Sequence, residues 1–135
     1  MAVDINPYAI RNAKHNARKL SIKNVSFKVS DLFSKVSEKY DIIIFNPPFS
    51  NYKPRDLTDR MFWDANNKTK ERFFREAKAH LNPDGRIYLA WADFSDLDVD
   101  LPFRLANKEG YQIKKIAEKR VDIKRFFVLE IMRKP

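Results

Sequence analysis

Three isoleucines and a phenylalanine, Ile42 to Phe45, follow Asp41 and run directly into Asn46-Pro47-Pro48-Phe49. A β-branched run that is apolar at every position suits a strand covered on both faces. It therefore predicts a central strand of a parallel sheet. Two prolines in succession lack backbone N–H groups and cannot continue a ladder, so the strand must end at Asn46.

The rest of the chain supplies elements to go around that strand. Residues 1–5 predict a short buried strand. Asn6 is a good helix cap and Pro7 suits the first helical position. Ile10, Ala13, Ala17 and Leu20 then recur at helical spacing, with Arg11, Lys14, His15, Arg18 and Lys19 on the opposite side, predicting a helix with one buried stripe. Residues 25–29 alternate and predict a half-buried strand, followed by the polar step Ser30-Asp31-Leu32-Phe33. Residues 50–68 are polar and basic and longer than an ordinary connection, as expected of a functional loop. Residues 69–81 predict a helix with Phe73, Phe74, Ala77 and Leu81 inward. Asn82-Pro83-Asp84-Gly85 predicts a turn, and residues 86–92 a buried strand. A short helix is expected over 101–109, with Pro102 near its start and Gly110 past its end. Residues 111–121 and 125–132 predict a closing antiparallel hairpin. This order implies an α/β fold, a mostly parallel sheet covered by helices, in one domain over residues 1–135. Ligands in such sheets sit at the carboxyl ends of the strands, where Asp4, Asp31 and Asn46 fall.

Composition removes several chemistries. The 135 residues include no cysteine and two glycines, Gly85 and Gly110. Disulfides, thiolate metal sites, cysteine nucleophiles and glycine-rich phosphate loops are excluded. The two histidines, His15 and His80, lack metal-ligand spacing, so no metal is expected. Lys and Arg total 27 against 18 acidic residues, a net charge of +9 that attracts phosphate backbones or an acidic protein surface. No apolar run approaches a membrane span and residues 1–10 carry no signal-peptide pattern. A soluble, cytoplasmic protein is expected.

The turn after the isoleucine strand carries the chemistry. Asn46 offers a side-chain carbonyl on a short stem. The prolines hold their carbonyls rigidly without local donors, and Phe49 offers a flat apolar face. A planar NH₂ group fits this set. One hydrogen goes to the Asn46 side-chain oxygen and one to the Pro47 carbonyl, with Phe49 stacked on the plane. Two acceptors on such a nitrogen draw it towards tetrahedral geometry and localise its lone pair for attack on an electrophile.

The segment Ile44-Phe45-Asn46-Pro47-Pro48-Phe49 resembles the signature of class I S-adenosylmethionine-dependent methyltransferases that act on planar nitrogens. These include HemK-type release-factor glutamine methyltransferases, ribosomal RNA guanine methyltransferases and adenine-specific DNA methyltransferases. The resemblance implies a Rossmann-like sheet and S-adenosylmethionine as cofactor. It implies Asn46, Pro47, Pro48 and Phe49 as the catalytic turn. Residues 2–6 look like the family's second strand, so the ribose-holding acid is expected to be Asp4, with Ile5 beside it. Residues 30–33 look like the segment after the third strand, which makes Asp31 the expected partner of the adenine amino group and Leu32 its apolar neighbour; Asn46 borders the same cofactor. The acceptor is then a glutamine amide of a translation or release factor, or an exocyclic amine of an RNA or DNA base. Lys53, Arg55 and Arg60, with Lys68 and Lys70, follow the turn and are expected to meet that acceptor.

In the family a first strand and a glycine-rich loop precede the segment with which this chain begins, so an N-terminally truncated domain is expected. An alternative is a catalytically incomplete fragment that binds nucleic acid or a protein partner. Without the first strand, residues 1–5 and 41–45 would have unpaired edges. Direct pairing of the two, or association of copies into a homo-oligomer, is expected to cover them.

Overall fold

In the computed structural model, which describes residues 1–93 and 97–135, Asn6 caps the first helix as its chemistry requires. Its side-chain oxygen accepts the Tyr8 N–H at 2.9 Å. The chain divides into two compact units, residues 1–37 and residues 38–135.

The first unit holds β1 (Ala2–Asp4), α1 (Pro7–Lys19) and β2 (Phe27–Val29). The strands are parallel neighbours, in register from Ala2↔Phe27 to Asp4↔Val29. Of the predicted helix stripe, Ile10 and Ala17 are buried, but Leu20 is exposed. Leu20 lies one residue past the last helical position, and Ser21 takes a left-handed φ of 57°. Helical spacing therefore no longer sets the direction of its side chain. The second strand is shorter than residues 25–29 suggested, because the ladder begins at Phe27.

The second unit holds β3 (Tyr40–Phe45), α2 (Lys68–Ala77), β4 (Leu81–Asp93), α3 (Leu101–Lys108), β5 (Tyr111–Val121) and β6 (Lys124–Arg133). Its sheet has the order β3-β4-β6-β5. β3 runs parallel to β4, and β6 is antiparallel to both β4 and β5. Phe73, Phe74, Ala77 and Leu81 are all buried, as the helical spacing predicted, and form the core with β4 and β6. Gly110 takes a φ of 73° just after α3, a left-handed position that favours glycine.

Three expectations need correction. β3 is an edge strand, not a central one, and is covered on one face. Ile43 is buried, whereas Ile42 and Ile44 are 58% and 80% exposed. An all-apolar strand reads the same in sequence whether one face or both are covered, because alternation carries no signal when every position is apolar. β1 and β3 also do not pair with each other. They belong to separate sheets of two and four strands. Finally, residues 82–85 do not form a turn ahead of β4 but a bulge within it. The ladder passes from Tyr40↔Leu81 to Ile42↔Arg86, leaving four residues opposite Asp41. The Asn82 amide donates to the Asp41 carboxylate at 2.7 Å across the bulge. Gly85 is required there by close approach, since a Cβ would lie 2.8 Å from the Leu81 side chain.

Candidate active site

In the first unit the parallel register brings two of the expected acids to one end of a sheet. Asp4 closes β1, and Asp31 follows β2 by two residues. The Ser30 N–H donates to the Asp4 carbonyl at 2.9 Å, extending the pairing by one step. Asp4 is exposed, and one carboxylate oxygen accepts the Asn6 N–H at 2.7 Å. That contact turns the side chain over the start of α1 and leaves its second oxygen for hydroxyl donors. Ile5, Asp31 and Leu32 are half-buried, and Leu32 holds a left-handed φ of 50°.

The residue that shapes this second loop is Ser30, which composition and spacing did not single out. It is buried. Its hydroxyl donates to the Leu32 carbonyl at 2.8 Å and accepts the Lys35 N–H at 3.1 Å. A small hydroxyl directly after a strand is the available signal, because it can satisfy a tight loop's backbone from inside.

A carboxylate at the end of each neighbouring strand and an apolar side chain beside the second suit a ribose, an amino group and a planar ring. The residues present therefore fit an adenosine group. Neither Gly85 nor Gly110 lies in this unit, so its residues contain no glycine loop for the rest of such a cofactor.

In the second unit β3 ends at Phe45 and the turn follows at once. Asn46 is exposed, Pro47 is buried, and Pro48 and Phe49 are half-buried. Pro47 lines a small apolar pocket with Phe74, Leu89, Trp91, Pro102 and Leu105. The Phe49 ring meets Trp91 edge to face, with centroids 5.6 Å apart and planes at 82°. The alternation of exposed Asn46 and anchored Pro47 continues the strand pleat two residues past the ladder, which ends at Phe45.

The basic residues after the turn separate. Lys53 is exposed. Arg55 is exposed too but already paired. Its guanidinium makes two hydrogen bonds to Asp59, at 2.8 and 3.3 Å, and lies 5.3 Å over the Trp63 ring. The Asp59 hydrogen bond raises the arginine pKa further, and the same contact holds the Asp59 carboxyl below its usual range. Arg60 is half-buried, beside the exposed Met61 and Phe62.

Lys70 departs most from expectation. Expected with the neighbouring bases to meet the acceptor, it is instead 3% exposed on α2. Its ammonium lies 3.1 Å from the Asp64 carboxylate, also 3% exposed, and donates to the Pro48 carbonyl at 2.7 Å. Burial pushes its pKa below the usual lysine value, and Asp64 partly offsets this. Asp64 in turn accepts the N–H groups of Thr69 at 2.8 Å and Lys70 at 3.2 Å, capping the start of α2. A sequence signal did exist: on the helical wheel Lys70 shares the buried face with Phe73, Phe74 and Ala77.

The profile of the family described as "Methyltransferase small domain" matches residues 1–113 and so covers parts of both units. A Methanocaldococcus jannaschii protein, named as an N5-glutamine methyltransferase, is 57% identical over 49 residues, covering 36% of this chain and 24% of its own length. The ribosomal RNA small subunit methyltransferase C of Psychromonas ingrahamii is 28% identical over 120 residues, 89% of this chain and 28% of its own. This chain thus spans about a quarter of the length of these curated relatives.

Among solved structures, a methyltransferase from Pyrococcus furiosus superposes with a TM-score of 0.74 at 21% identity, covering 98% of this chain and 61% of that one. The magnesium protoporphyrin IX methyltransferase of Synechocystis, solved with bound S-adenosylmethionine, gives 0.64 at 17% identity, with coverages of 98% and 58%. These two share the Rossmann-like methyltransferase fold. With a family profile matched over most of its length and that fold throughout, the chain belongs to the methyltransferase small domain family.

Proposed function

We propose that this protein is an S-adenosylmethionine-dependent N-methyltransferase whose acceptor is a planar NH₂ group, a glutamine side-chain amide or an exocyclic base amine. The observation that carries the reading is the exposed Asn46 at the carboxyl end of β3, followed by an anchored Pro47 and a half-buried Phe49. Asn46 accepts one hydrogen of the acceptor nitrogen and the Pro47 carbonyl accepts the other. Phe49 packs on the acceptor plane. Held in this way the nitrogen lone pair is directed away from conjugation, and no strong base is needed, since the proton can leave after transfer.

Asp4 holds the ribose hydroxyls and Asp31 receives the adenine amino group, with Ile5 and Leu32 as apolar walls. When bound, the cofactor supplies a methyl group on a positively charged sulfur. Lys53, Arg55 and Arg60 offer an electropositive surface to the acceptor-bearing molecule, whether an RNA or DNA, or a translation factor. The names of the M. jannaschii and P. ingrahamii relatives, a glutamine methyltransferase and a ribosomal RNA methyltransferase, support a protein glutamine and an RNA as the two acceptor classes. The profile match across both units supports a single methyltransferase domain.

Tritiated S-adenosylmethionine with a glutamine-containing release-factor peptide or with small-subunit ribosomal RNA tests the reading. Asn46→Ala should lower transfer by about 10²–10³-fold in a folded protein. Phe49→Ala should chiefly raise the acceptor KM, with Phe49→Tyr tolerated. Undiminished transfer by Asn46→Ala would sink the assignment.

A further inference from the structure

The Asn46–Phe49 turn has few means of holding itself. Pro47 and Pro48 have no N–H, so the carbonyls around them cannot be tied down by the turn's own donors. External donors are needed, and one side chain supplies them. The Lys70 ammonium has three hydrogens. It has three oxygen partners: Pro48 O at 2.7 Å, Asp64 Oδ2 at 3.1 Å and Phe49 O at 3.4 Å. None is left over for a phosphate or an acidic partner.

Burying an ammonium beside apolar side chains is costly unless it is paired and fully hydrogen-bonded. An apolar residue of similar volume would often serve stability as well or better. The geometry gives the charge buried at this position a role beyond stability. Asp64 closes the circuit. Its own N–H donates to the Ser50 carbonyl at 2.9 Å, and the Ser50 N–H donates to the Phe62 carbonyl at 3.1 Å. Its carboxylate caps α2, from which Lys70 reaches back to the turn. The chain from Pro48 to Ser50 is thus tied at both ends to one helix start.

We infer that Lys70, paired with Asp64, is the positioning residue of the catalytic turn. By consuming the Pro48 and Phe49 carbonyls it leaves the Pro47 carbonyl and the Asn46 side chain as the pair presented to an acceptor NH₂. This rests on the functional reading above for its catalytic consequence, but not for its geometry. The groups facing the ammonium are the Asp64 carboxylate and, at 5.8 Å, the Trp91 ring; the rest of the pocket wall around it is apolar.

The test reads the turn directly. In isotope-labelled full chain, amide-detected carbonyl spectra of Phe49 and Ser50 report the Pro48 and Phe49 carbonyls. In Lys70→Met both carbonyls and the Asn46 Cβ should shift, while core reporters such as Leu129 stay in place. Lys70→Arg should restore part of the change. In transfer assays Lys70→Met should lose about 10²-fold in kcat with the acceptor KM little altered. If Lys70→Met does not fold, alkaline titration of the wild-type chain decides. The Pro48 carbonyl should move in step with loss of the Lys70 proton, and a carbonyl indifferent to that step would overturn the inference. A folded Lys70→Met with unshifted carbonyls overturns it equally. No transfer by wild type to either acceptor removes the functional reading and leaves the carbonyl signals to judge the clamp. Transfer by wild type, with unchanged carbonyls and kcat in Lys70→Met, removes the clamp and leaves the functional reading standing.

Discussion

The ring of Phe45, the last residue of β3, lies on the ring of Phe73 from α2, with centroids 4.0 Å apart and planes 22° apart. The residue before Asn46 is therefore fixed by the same helix that carries Lys70. Phe73 is 2% exposed, so removing its ring takes buried apolar volume out of the core. Phe73→Ala should destabilise the second unit by about 3–5 kcal/mol, read by urea denaturation. A loss well under 1 kcal/mol would mean that the Phe45–Phe73 stack is not part of what holds the strand end.

Alkaline stability should carry the mark of Tyr111. Its ring is 1% exposed, its hydroxyl donates to the Phe74 carbonyl at 3.1 Å, and burial raises its pKa to about 12. The unfolded chain releases this proton near 10.0, the folded chain only near 12. Between those values the unfolded state binds fewer protons, so stability falls as pH rises through that window and is unaffected below it. Tyr111→Phe should remove that part of the alkaline loss, on the order of 2 kcal/mol. Chemical denaturation of both proteins across the window checks it, and identical slopes would refute it.

The exposed face and edge of β3 should promote association. Ile44 is 80% exposed, and β3 has a ladder partner only in β4 among the described residues. Apolar edge strands invite pairing with other chains. Amide exchange over residues 42–45 should slow as protein concentration rises, and light scattering should show growth in size. Ile44→Lys should suppress both effects while changing stability by less than about 0.5 kcal/mol. Fast exchange at every concentration in a monodisperse monomer would contradict this expectation.

Adenosine affinity should depend on the Asp4 charge. Asp4→Asn keeps an oxygen for the Asn6 N–H but loses the charge-assisted bonds to hydroxyl donors. A loss of about 1.4 kcal/mol or more, roughly tenfold in affinity, is expected. Calorimetric titration with S-adenosylhomocysteine measures it, with wild-type binding itself expected to be weak. An unchanged affinity in Asp4→Asn would remove Asp4 from the cofactor site.

Much of this molecule is determined by local chemistry that is visible in order along the chain. Asn6-Pro7 caps and starts α1, Pro47-Pro48 ends β3, and Gly110 permits the left-handed exit from α3. Each acts through residues within a few positions of itself, so the element order and the place of Asp4, Asp31 and Asn46 at strand ends were legible without coordinates. Tertiary structure alone decided what lies across from what. The uniform apolarity of Ile42 to Phe45 could not show that β3 would sit at a sheet edge with Ile44 in solvent. Helical spacing put Lys70 on the buried face of α2, but it could not show that the ammonium would meet the carbonyl of Pro48, a residue 22 positions earlier in the chain. Strand neighbours and buried ion pairs depend on contacts between distant segments, and a lysine has the same composition whether its three hydrogens meet water or a carbonyl.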